Sequence, residues 1–191
     1  DLKSFSISKQ EEKFIKSKLK NKKEIVKINQ YNRLLFIICP KEDKNCNSHI
    51  ENCRILGDNI GLQLEDSKSV NIIDSENQPF IALSIAEGLA LGNYTFTKHK
   101  TKAKPNKLET IYMCKNSNKK DIEELQNIVD SVYLTRDLVN EPFSHLTATD
   151  LAKQAKKAGK NSGFKTTVFN KKKIESLKMG GLLAVNKGSL D

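Results

Sequence analysis

Few side chains in this sequence could do chemistry, and fewer stand at spacings that would let them act together. The histidines are His49, His99 and His145, and the cysteines are Cys39, Cys46, Cys53 and Cys114. Cys46, His49 and Cys53 fall at i, i+3 and i+7, one face of a helix, where two thiolates and an imidazole could hold a divalent metal. The same face carries Ile50, Ile60 and Leu64, so it is expected to be a core face with small thiols in it rather than a metal site. No C-x-x-C pair occurs, and scattered free thiols suit a reducing compartment better than a disulfide scaffold. His145 lies close to Ser144 and Asp150, the residue types of a hydrolase triad. Triad members meet in space rather than in sequence, and no G-x-S-x-G turn marks a nucleophile, so a loop histidine after Pro142 is expected.

The nine glycines form neither G-x-G-x-x-G nor G-x-x-x-x-G-K-[ST]. Gly180-Gly181 and Gly188 come closest, but the pair follows a helical pattern rather than a strand, which leaves a phosphate cradle unsupported. Glu87 and the adjacent pairs Glu11-Glu12 and Glu123-Glu124 are expected to be solvated or capping carboxylates, not acid/base pairs. Nothing near Lys187 would desolvate it, so an exposed loop lysine is expected there.

The elements that would position these residues follow from periodicity and punctuation. Ser8 to Leu19 predicts an amphipathic helix capped by Ser8, with Phe14, Ile15 and Leu19 inside. Glu24 to Asn29 leads to Leu34–Cys39, apolar on both faces and expected to be a buried central strand. A helix is expected from about Cys46 to Glu65, a strand at Val70–Asp74, and a helix from Pro79 with Gly92 at its end. A lysine-rich connection from Asn93 to Asn106 leads to a strand at Leu108–Cys114. Asn118 then caps a long helix whose stripe is Ile122, Leu125, Ile128, Val132 and Val139, and Pro142 stops it. Beyond it, Thr147 or Thr149 caps a helix with Leu151, Ala152, Ala155 and Ala158 inside, closed by Gly159 or Gly163. Phe164–Phe169 alternates like a strand, Lys171–Lys178 predicts a short helix, and Leu182–Val185 predicts another strand. Strands alternating with helices favour an α/β fold. The last 50 or so residues are too few to bury a good sheet, and they are expected to be an incomplete second domain.

The formal net charge is +10, but only Arg33, Arg54 and Arg136 of the 33 basic residues are arginine. A phosphate-gripping groove would use the bidentate guanidinium more generously, so a solvated, lysine-rich surface is the expected meaning of the charge. No apolar run approaches a membrane span, and the chain reads as soluble.

Three stretches are more specific than any of these. They are Glu87-Gly88-Leu89-Ala90-Leu91-Gly92-Asn93-Tyr94-Thr95-Phe96 continuing to Lys100-Thr101, then Thr135-Arg136-Asp137-Leu138-Val139-Asn140-Glu141-Pro142, and then Met179 to Ser189. In this order and at this spacing the chain resembles the cytosol (leucyl) aminopeptidase family, whose E-G-x-x-L-G-x-Y-x-F-x-x-x-K-T, R-[DN]-L-x-N-x-P and G-x-x-x-A-V-x-x-G-S segments they match. The match covers Pro79 to Ser189, while residues 1 to 70 agree only in α/β pattern.

The alternation of elements predicts a three-layer α/β domain over residues 1–117 and a linker helix over 118–141; the resemblance implies that the first is macro-domain-like and that 142–191 is the incomplete start of a peptidase domain. It implies a cytoplasmic exopeptidase that removes N-terminal residues, often leucine, using two divalent metals, zinc or manganese, and assembles as a homo-hexamer. The family's metal ligands and catalytic lysine belong to a G-K-G-[IL]-T-F-D-S-G-G segment and to later acidic motifs absent from these residues. No catalytic, metal-binding or cofactor-binding residue is therefore carried over, and Lys187 is not the family's catalytic lysine. With no glycine-rich phosphate loop before residue 117, no nucleotide binding is expected. The chain by itself is expected to be inactive; the alternatives are a basic binding module for DNA or a protein partner, or a short non-catalytic paralogue.

Overall fold

Helix α1 (Lys9–Lys20) starts where a local hydrogen-bond exchange fixes it. The Ser8 amide donates to Glu11 Oε2 (2.7 Å) and the Glu11 amide donates to Ser8 Oγ (3.2 Å), a reciprocal capping box. A computed structural model describes this helix and the rest of residues 5–64, 66–103 and 108–188. The expected inner set of α1 is partly corrected: Ile15 is fully buried, but Phe14 is 45% exposed, with Lys18 Nζ 5.1 Å from its ring centre. Phe14 is turned about 100° from Ile15 around the helix, and it is Ile15 that points at the sheet.

That sheet is an antiparallel hairpin of β1 (Ile25–Asn29) and β2 (Leu34–Ile38). Val26, Ile28, Leu35 and Ile37 pack with Ile15 and Leu19 of α1. Ile25, Phe36 and Ile38, on the opposite face, pack against a second cluster built on the following helices. Two covered faces explain why Leu34–Ile38 is apolar without alternation. The strand is not central, however. Among the described residues β2 pairs only with β1, and all five of its residues are half-buried.

Glu24, just before β1, ties three segments together. Its carboxylate accepts from the Lys41 amide (2.8 Å) and the Asn52 side-chain amide (2.8 Å), and it pairs with Lys41 Nζ (3.0 Å). Burial pushes this carboxyl up, but the Lys41 amide, Asn52 and the Lys41 ammonium outweigh it and hold the group below its ordinary value.

Helix α2 (Cys46–Gly61) is capped by Asn45, whose side chain accepts from the Asn47 and Ser48 amides. Strand β3 (Ser69–Ile73) then leads to α3 (Pro79–Gly92), with proline in its first turn where a missing N–H costs nothing. Strand β4 (Thr110–Cys114) returns parallel to β3 in a β-α-β unit, pairing Val70 with Ile111 and Ile72 with Met113. Val70, Ile72 and Ile111 face the core, and Tyr112 faces outward at 53% exposed. The two strand pairs are separate sheets among the described residues.

Helix α3 is apolar nearly all round and correspondingly enclosed, with Ala82, Ser84, Ile85, Ala86, Gly88 and Leu89 buried. Its contact with α2 is the most extensive between any two elements. Two glycines set the approach. A Cβ on Gly57 would lie 2.1 Å from the Ile85 carbonyl oxygen, and one on Gly88 would lie 1.9 Å from that of Arg54. Neither position has room for a methyl group.

Helix α4 (Lys119–Asn140) begins where the Asp121 amide donates to Asn118 Oδ1 (2.9 Å). Its inner residue is Val129, which the expected stripe omitted, whereas Ile128 (44% exposed) and Val139 (78%) point outward. Tyr133, one turn on from Val129, joins the same face through a hydrogen bond to the Ala90 carbonyl.

The chain divides into two compact units, Asp1–Leu134 and Thr135–Asp191. In the second, α5 (Ala148–Ser162) opens with a Thr147–Asp150 capping box and closes at Gly163, whose φ of 76° is left-handed. Short helices α6 (Lys171–Ser176) and α7 (Gly180–Val185) follow. Both expected strands of this unit are corrected. Among the described residues Phe164–Phe169 has no partner strand; instead the Phe164 amide donates to Gly159 O (2.9 Å) and Thr166 Oγ1 donates to Ala155 O (3.3 Å), laying the segment on α5. Leu182–Val185 is helical: a run of four apolar residues fits either state, and among the described residues none pairs with it as a strand.

Two outcomes are expected. Gly88→Ala and Gly57→Ala each lower stability by about 1–3 kcal/mol through overpacking, while Gly181→Ala, with open space around it, is neutral or stabilising; thermal melts of the three variants decide this. Glu24→Gln destabilises the protein by about 1–2 kcal/mol near neutral pH. Because the folded carboxyl is held low, its contribution is present above the unfolded value and is lost as pH falls through the folded one. The gap between variant and wild type in urea unfolding therefore closes in acid; a gap independent of pH would contradict this role.

Candidate functional site

The segment Glu87–Phe96, singled out in the sequence, is a packing hub. Glu87 Oε2 accepts from Arg54 Nε (2.8 Å), and Glu51 on the same helix accepts from Arg54 Nη1 (3.2 Å). The Glu87 hydrogen bond is the largest cause raising the affinity of the guanidinium for its proton. Gly88 sits on the Arg54 backbone, Leu89 is 1% exposed, and Gly92 lies against the Asp58 side chain. Asn93 then donates to the Leu108 carbonyl at the entrance to β4 (2.9 Å). The Tyr94 ring meets Tyr133 edge-on, with centroids 5.0 Å apart. The segment thus joins α2, α3, α4 and the approach to β4 through Glu87, Gly88, Leu89, Asn93 and Tyr94. Sequence reasoning missed this role, although Gly57-x-x-x-Gly61 and Gly88-x-x-x-Gly92 share the four-residue period of close helix contacts.

The other flagged residues are not brought together. Cys53 is fully buried in the α2–α3 cluster, Cys46 is exposed at the start of α2, and the His49 ring is hydrogen-bonded to the Lys41 carbonyl (2.9 Å). Burial raises the Cys53 thiol, as does the charge of Glu24. The Asp150 carboxylate is engaged at its helix start: Lys153 (2.8 Å) and Thr147 (2.9 Å) hold it below its ordinary value, an arrangement that explains its position beside Thr147 without His145. The exposed Lys187 falls in a 3-10 turn, Asn186–Gly188, and at Gly180 and Gly181, which open α7, an added Cβ would meet nothing among the described residues. Among the described residues no three histidine, cysteine or acidic side chains converge so as to hold a metal ion. Among the same residues, no helix is long and apolar enough to cross a membrane.

The geometry defines an α/β protein whose conspicuous segment is structural. Residues 133–191 match the catalytic-domain model of the cytosol aminopeptidase family. A "probable cytosol aminopeptidase" of Chloroherpeton thalassium is 35% identical over 153 residues, covering 69% of this chain and 29% of that protein. One of Chlorobaculum parvum is 70% identical over 54 residues, 28% of this chain and 11% of the relative. In fold, the chain is similar to a tomato leucine aminopeptidase mutant, with a TM-score of 0.74 and 19% identity over 87% of this chain and 35% of that one. It is also similar to the bottromycin maturation enzyme BotP in complex with Mn, with a TM-score of 0.71 and 18% identity over 87% of this chain and 37% of that one. The chain belongs to the cytosol aminopeptidase family. It spans less than a third of the length of these curated relatives.

The separation of Cys46 and Cys53 predicts unequal thiol chemistry. Cys46 reacts promptly with a thiol reagent in the native protein, Cys53 only on unfolding, and one equivalent of Zn²⁺ changes neither rate. Zinc protection of both thiols would establish the metal site that the structure speaks against.

Proposed function

We propose that this chain is the N-terminal portion of a metal-dependent leucyl aminopeptidase and has no peptidase activity by itself. In this reading residues 1–117 are a macro-like accessory domain, 118–141 a linker helix and 142–191 the start of the catalytic domain. The whole protein removes N-terminal residues, often leucine, from peptides in the cytoplasm and works as a homo-hexamer. Two divalent metals, zinc or manganese, would polarise the scissile carbonyl and activate a water from ligands outside these 191 residues.

The observation that carries the reading is the catalytic-domain match at residues 133–191, in a chain that covers 29% of a curated relative's length. BotP, similar in fold, is in complex with Mn, which is consistent with the proposed metal.

Incubation of the 191-residue chain with leucine p-nitroanilide and Mn²⁺ is expected to give only background release. The whole protein under the same conditions is expected to release p-nitroaniline in a chelator-sensitive way. Chelator-sensitive turnover by the 191 residues alone would overturn the proposed inactivity, and a whole protein without turnover would overturn the proposed activity.

A further inference from the structure

We draw no further inference here: the strongest candidate, the lysine face of α5 formed by Lys153, Lys156, Lys157 and Lys160, is a charged helix face and nothing in the structure shows what covers it.

Discussion

The close crossing of α2 and α3 is the constraint on which the first unit depends. At Gly57 and Gly88 each helix lies against the backbone of the other, at a separation that even one methyl group would prevent. Close approach brings Cys53, Ile60, Ile85 and Leu89 into one cluster. Ile25, Phe36 and Ile38 of the hairpin and Val70, Ile72 and Ile111 of the parallel pair all pack onto that cluster. Among the described residues the strands therefore share a core without sharing a sheet. A wider helix pair would offer them a different surface.

The same crossing explains the conspicuous composition of Glu87–Phe96. Glycine is needed where α3 touches α2, leucine where it fills the cluster, and glutamate where Arg54 is partly withdrawn from water. A hydrogen-bonded carboxylate lowers the cost of that partial burial. Asn93 and Tyr94 carry the connection onward, one to the approach to β4 and the other to Tyr133 on α4. Glu87, Gly88, Leu89, Asn93 and Tyr94 of a segment that matches a family motif are thus engaged in architecture.

The second unit is built differently. Its helices are set by local devices: the Thr147 capping box, the left-handed Gly163 and the Asn170 cap of α6. Large apolar side chains remain on its surface, among them Phe143 (72% exposed), Leu182 (60%) and Val185 (88%). The helix α7, which takes the place of the strand expected at Leu182–Val185, has no side-chain cap of its own.

What the sequence determined by itself was whatever depends on near neighbours along the chain. Ser8, Asn45, Asn118 and Thr147 cap the helices expected from them or from the periodicity that follows, because an oxygen two or three residues from an orphan amide reaches it in any context. Pro79 and Pro142 bound helices for equally local reasons, and the order of the family segments identified the lineage. Tertiary structure decided which residues of a stripe turn inward: Ile15 rather than Phe14, and Val129 rather than Ile128. It decided that β2 pairs in a hairpin, and that Phe164–Phe169 lies on α5 without becoming a strand. It also gave Glu87 and Gly88 a packing role that no motif scan discloses. In each case the outcome rests on a partner distant in sequence: a strand needs another strand, a buried face needs something to cover it, and a glycine's missing methyl matters only against the backbone that occupies its place.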